Sequence, residues 1–188
     1  MFCPNYVWLG DNGGNVMSVL FEGHSLSESV FEDFSSDATS RWDFVADAVM
    51  GGVSSGRIEV VGTGAMTALR LHGRVSTENN GGFIQARRRF SDSWPREALG
   101  LRLRVKGNGA RYFVFLKTPN LSRIWHSFRA PFVAKTNWHD VEIPFHMFSP
   151  SHMGMPAMLA APDVNSIAIV AYGDDFDADI SVRDIRLY

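Results

Sequence analysis

From residue 30 to the C-terminus the chain is cut into short apolar or alternating runs, with turn residues between almost every pair. Nine such runs span 57–61, 68–75, 82–90, 99–106, 111–118, 124–133, 138–143, 166–172 and 180–187. Segments this short, punctuated by Gly, Asn, Asp and Pro, are the signature of strands. The stretch 144–161 is the best helical candidate, but Pro150, Pro156 and the following Pro162 limit it to a turn or two. Many strands with almost no helix predict an all-β fold, a sandwich or jelly roll.

Alternation within the runs assigns faces. Leu99, Leu101, Leu103 and Val105 alternate with Gly100, Arg102, Arg104 and Lys106, giving one buried and one wet face. Tyr112, Val114 and Leu116 oppose Phe113, Phe115 and Lys117, which predicts a central strand covered on both sides. Gly107-Asn108-Gly109 between these runs reads as a hairpin connection, because Gly and Asn tolerate positive φ. Val182, Ile185 and Leu187 imply a final strand with Arg183 and Arg186 turned outward. Trp138 opens an apolar run and is expected in the core.

The 188 residues suit one domain. Residues 1–29 read as an extension, with turns at 11–15 and 25–29 around a short apolar piece at 16–21. A formal net charge of −2, spread along the chain, gives no long-range pull toward nucleic acid or anionic membrane. The run Arg87-Arg88-Arg89 splits between the two faces of a strand, so it reads as an ion-paired or solvated edge rather than a phosphate track. No stretch approaches the roughly 20 apolar residues of a membrane span. The first Lys or Arg is Arg41, which argues against a secretory signal or an Arg-rich transit peptide. These features predict a soluble intracellular protein, in a bacterial cytoplasm rather than a mitochondrial matrix. The single cysteine, Cys3, supports neither a disulfide framework nor a metal site.

Catalytic signals are weak. Gly52-Val53-Ser54-Ser55-Gly56 matches a nucleophile elbow formally, yet a strand pattern follows where that motif needs a helix. The cluster Asp174-Asp175-Phe176-Asp177-Ala178-Asp179 offers hard oxygens for Ca²⁺ but lacks an EF-hand's glycine and distant glutamate, so it reads as a solvated turn. No cofactor or metal is expected. Trp42 and Trp125, unconstrained by any strand pattern, are candidates for stacking on a sugar or a partner.

The most specific stretches are two glycine-rich polar segments. The first runs from Trp42 to Ser54 and holds Asp47, Met50, Gly51 and Gly52; the second runs from Gly73 to Gln85 and holds Glu78, Asn79, Asn80, Gly81 and Gly82. Paired glycines let backbone approach backbone or ligand closely. Asp47 and Asn80 are expected to hydrogen-bond loop amides, and the same loops to form a binding surface.

Asp47-Ala48-Val49-Met50-Gly51-Gly52-Val53-Ser54, followed by Asn80-Gly81-Gly82-Phe83, resembles the complex I intermediate-associated protein 30 family. Trp138-His139-Asp140-Val141-Glu142-Ile143-Pro144-Phe145, with Phe148 and Pro150, is similar to that family's W-x-x-V-x-[IL]-P-F-x-x-F-x-P segment, and Asp184-Ile185-Arg186-Leu187-Tyr188 to its last strand. The resemblance covers about residue 30 to the C-terminus. It implies a galactose-binding-domain-like β-sandwich and, by analogy with mitochondrial members, a part in assembling the membrane arm of respiratory complex I. Asp177-Ala178-Asp179-Ile180 stands where the family usually has a Gly-x-Phe-like apolar turn. The expectation is thus a non-catalytic binding module with protein partners, such as subunits of a membrane complex, and without nucleic acid or membrane insertion. The alternatives are a carbohydrate- or small-ligand-binding module, and an enzyme using Asp47, Glu78 and histidines as acid–base groups.

Overall fold

The computed structural model describes residues 28–35 and 37–188. The apolar piece at 16–21, Cys3 and most of the extension at 1–29 therefore lie outside the described residues. The strands, in chain order, are β1 (Ser29–Glu32), β2 (Trp42–Ala46), β3 (Ser55–Val61), β4 (Ala68–Val75), β5 (Phe83–Arg89), β6 (Gly100–Gly107), β7 (Arg111–Lys117), β8 (Phe128–Val133), β9 (His139–Pro144), β10 (Ser149–Pro150), β11 (Ser166–Tyr172) and β12 (Phe176–Leu187). A one-turn helix, α1 (Ala38–Arg41), precedes β2. Residues 144–161 contribute one 3-10 turn, the two-residue β10 and loop, as their prolines require.

Two antiparallel sheets result. The first has the order β3-β4-β12-β6-β9, with β1 also pairing β12; the second is β10-β8-β7-β11-β5-β2. This is a jelly-roll sandwich of the galactose-binding-like kind. Between the sheets lie Leu69, Leu71, Leu101, Leu103, Val105, Ile180 and Ile185 from the first and Ile84, Tyr112, Val114, Leu116, Ile167 and Ile169 from the second, all at most 2% exposed. Outside the last strand each set follows a two-residue period, so burial of one face is what selects the register.

Several expectations at element ends are corrected. Leu99 does not share the buried face of Leu101: it is 56% exposed, because β6 starts one residue later. Trp138 is only half-buried and precedes β9; the Arg183 guanidinium lies 4.4 Å over its ring. The last strand begins at Phe176 rather than residue 180. Its register against β6 shifts between Val182 and Asp184, and this bulge explains why Val182 and Ile185, three apart, both face inward.

A buried polar link joins the sheets. The Tyr112 hydroxyl on β7 donates to Asn108 Oδ1 at 2.8 Å and accepts the Asp179 N–H of β12 at 2.9 Å. Burial pushes the Tyr112 phenol up to about 12, so it stays a neutral donor. Asn108 belongs to the Gly107-Asn108-Gly109 connection, where Gly109 takes φ 87°. Because β6 and β7 lie in different sheets, this connection crosses the sandwich and is not the hairpin expected from the sequence.

Candidate functional site

The two glycine-rich segments meet at one carboxylate. Asp47 opens a 3-10 turn, Asp47–Met50, directly after β2, and its residue is fully buried. Oδ1 accepts the Ser54 N–H at 3.0 Å; Oδ2 accepts the Ser54 hydroxyl at 2.5 Å, the Gly82 N–H at 2.6 Å and the Phe83 N–H at 3.2 Å. Burial opposes the charge of this carboxyl, but those hydrogen bonds outweigh it and hold the group below the ordinary aspartate value.

Two glycines are required by that closeness. A Cβ on Gly52 would fall 2.3 Å from Asp47 Cγ, and one on Gly81 would fall 2.5 Å from Asp47 Oδ2. Gly51 (φ 88°) and Gly82 (φ 121°) need the left-handed side of the map, and Asn79 and Asn80 adopt it at φ 55° and 60°. Ser54 Oγ also accepts the Ser76 N–H at 3.0 Å, so this hydroxyl is committed to bracing the loops, and the strand β3 follows it. The second segment has a further anchor: Asp175 Oδ1 accepts the Thr77 N–H at 2.6 Å and the Thr77 hydroxyl at 2.8 Å, which lowers the Asp175 carboxyl.

On this scaffold three apolar side chains face water. Val49 is 79% exposed, Met50 60% and Val53 48%. Glu78, Asn79 and Asn80 are exposed beside them on the neighbouring loop. Gln85 lies farther along β5, half-buried on the outer face of the second sheet.

The two candidate tryptophans lie elsewhere. Trp42 is 2% exposed, inside the core, and its indole N–H donates to Glu32 Oε2 at 2.9 Å. Trp125 is 53% exposed in the connection from β7 to β8. That connection leaves the Lys117 end of the second sheet, whereas the Asp47 loops sit at the Phe83 end, about 20 Å away along seven-residue strands.

Several features escaped the sequence reading. Glu32, 3% exposed, accepts from Trp42, Arg41 (2.8 Å), Arg88 (2.7 Å) and the Phe34 N–H (2.9 Å). Burial would raise this carboxyl, yet those donors hold it low. It lines a concavity of about 390 Å³ together with Val30, Phe31, Asp33, Arg41 and Arg88. No pattern on the chain singles out one glutamate among many, and β1 is too short to show a period. The residues of the 174–179 cluster turn to separate partners: Asp174 to Arg111, Asp175 to Thr77, Asp177 to Arg74 and Asp179 to Arg70. Among the described residues no group of three or more His, Cys, Asp or Glu is placed to hold a metal ion, and no helix is long and apolar enough to cross a membrane.

Comparison with known proteins follows this geometry. A family 11 carbohydrate-binding module of a cellulosomal cellulase of Clostridium thermocellum superposes with a TM-score of 0.69 at 16% identity, over 86% of this chain and 94% of that one. The family 11 module from Clostridium thermocellum in complex with a β-1,3-1,4-mixed-linked tetrasaccharide gives 0.69 at 17% identity, over 85% and 94%. A family 30 module from a cellulosomal cellulase of the same organism gives 0.52 at 14%, over 73% and 90%. At these identities the likeness is one of fold. No curated protein matches the sequence. The family described as Complex I intermediate-associated protein 30 matches residues 31–182, a span that holds both glycine-rich loops and ten complete strands, and the chain belongs to that family.

Proposed function

We propose that this protein is a non-catalytic binding module that holds a protein subunit during assembly of a membrane complex of the respiratory type. Family membership supports the class of function. One structural observation carries the placement of the site: Val49, Met50 and Val53 stand exposed on a turn that Asp47 locks to the 78–82 loop. Loops that merely connect strands put polar residues at their tips, whereas a rigid loop with three adjacent apolar side chains binds without first losing conformational entropy. The exposed Glu78, Asn79 and Asn80 supply the polar rim such a contact needs.

The test is affinity capture from the native host, comparing wild type with a Val49→Asp/Met50→Asp variant. Recovery of subunits of one membrane complex by wild type, and their loss from the variant, is the expected result. Equal recovery by both would move the contact elsewhere on the domain.

Carbohydrate binding is the second reading, favoured by the likeness to a module solved with a tetrasaccharide and by an aromatic group on the second sheet. Phe113, Phe115 and Tyr172 pack edge to face there, with centroids 5.7–6.1 Å apart. The Arg129 guanidinium, however, lies 4.5 Å over Phe115 and 5.0 Å over Tyr172, covering ring faces that a pyranose would use. Calorimetric titration with neutral oligosaccharides is expected to give no heat; specific binding would restore this reading.

A further inference from the structure

Most cations on the outer face of the first sheet are ion-paired, Lys106 and Arg183 being exceptions among the described residues. On the first sheet Arg70 is paired with Asp179 (2.8 Å) and Glu59 (3.1 Å), Arg102 with Glu142 (2.6 Å) and Arg104 with Asp140 (3.2 Å). On the second sheet Arg87 and Arg89 from β5, Lys117 from β7 and Arg129 from β8 point outward by strand alternation. Among the described residues none of these four forms an ion pair. Arg88, between the two outward arginines, points to the other side and is taken by Glu32.

Register brings these cations around one strand. On β11, Ser166 lies opposite both Arg89 and Lys117, and Ala168 opposite both Arg87 and Phe115. Small side chains on β11 between long ones on β5 and β7 make the floor of a trough whose walls close over it, leaving Ser166 6% and Ala168 3% exposed. Strand spacing puts the Cα atoms of Arg89 and Lys117 on the order of 10 Å apart across it, a gap that two extended cations close on one small anion.

Arg87 Nε is buried without a hydrogen-bond partner. Burial, then the charges of Arg87, Arg89 and Arg129, press the Lys117 ammonium down, and burial with Arg89 does the same to Arg87. Asp43, opposite Arg87 on the edge strand, attracts it without reaching ion-pair distance. Lys117 Nζ is steadied by the Ile124 carbonyl, and Arg129 Nε by Ser127 Oγ at 3.0 Å. Four like charges held together, with Asp43 outside ion-pair distance, cost stability unless a bound anion offsets them.

We propose that this trough binds a phosphate monoester through its phosphoryl group, which sits above Ser166 and Ala168 between Arg89, Lys117 and Arg87. Guanidinium and ammonium groups around one tetrahedral dianion make charge-assisted hydrogen bonds that a neutral ligand lacks. The site lies at the opposite end of the sheet from the Asp47 loops, so it stands independently of partner docking there.

The test is calorimetric titration of the full chain, in phosphate-free buffer of low ionic strength, with ribose 5-phosphate, inorganic phosphate and ribose. Ribose 5-phosphate is expected to bind and ribose not to. Arg89→Gln and Lys117→Gln, made singly and together, are expected to weaken binding by about tenfold each. Arg104→Gln, on the first sheet, is expected to leave it unchanged. Inorganic phosphate binding as tightly as the ester would uphold the anion site and assign it to free phosphate. Absence of phosphate-dependent heat with folded wild type would overturn the proposal, as would equal affinity in the wild type and the single variants.

Discussion

Gly82 donates its N–H to Asp47 Oδ2 at 2.6 Å across 35 residues of chain, and this bond, with that of the Phe83 N–H to the same oxygen, ties the turn after β2 to the start of β5. The same carboxylate holds Ser54, so three backbone segments depend on a single buried charge. The exposed apolar tip at Val49 and Met50 stands directly on this buried hub.

Asp47→Ala is expected to destabilise the domain by about 3 kcal/mol or more, since four hydrogen bonds lose their acceptor and each orphaned buried donor costs roughly 1–3 kcal/mol. Urea unfolding followed by tryptophan fluorescence checks this. A loss under about 1 kcal/mol would mean that the loops are held by other contacts.

Acid should undo the same hub. Asp47 and Glu32 both have carboxyls held below their ordinary values in the folded state, despite the opposing effect of burial. Their contribution is therefore fully present above the unfolded-state values and is lost as pH falls through the lower folded-state ones. Stability should decline below about pH 4. In Asp47→Asn that acid limb should be shallower, as melting curves across pH 2 to 7 would show; an unchanged limb would remove Asp47 from the account.

Gly52→Ala tests the close approach. The added methyl meets Asp47 Cγ at 2.3 Å, so the carboxylate must move or the turn must open, at a cost of about 2 kcal/mol. Gly51→Ala meets no atom but carries φ 88°, and should cost less, about 1 kcal/mol. Paired urea titrations of the two variants give the order directly.

Tyr112→Phe should cost about 1–2 kcal/mol, because the Asp179 N–H on β12 loses its acceptor across the sheet interface. The loss should appear as faster amide exchange at Asp179. Unchanged exchange there would show that the link between sheets does not depend on this hydroxyl.

Much of the fold was legible because strand alternation is local: Leu101, Leu103 and Val105, or Tyr112, Val114 and Leu116, declare their faces within a single run. β2 was missed as a strand because it has only five residues and runs straight into the Asp47 turn, which drew attention to its polar end. That Asp47 would bond loop amides was readable from the sequence, and the resemblance named the family; that those amides belong to both glycine segments was not. Where Trp42 and Trp125 point was not readable, since tryptophan serves a core and a rim equally well. The cation cluster was hidden for a different reason. Its members come from three strands, and only the pairing of β11 with both β5 and β7 collects them around Ser166.

The most direct measurement of the docking claim places a photo-crosslinking residue at Met50 and, separately, at Trp125, in the full chain expressed in its native host. The account predicts that Met50 yields one specific adduct with a subunit of a membrane complex, and that Trp125, at the far end of the sheet, does not. Adducts from Trp125 alone, or none from Met50 in a folded protein, would contradict it.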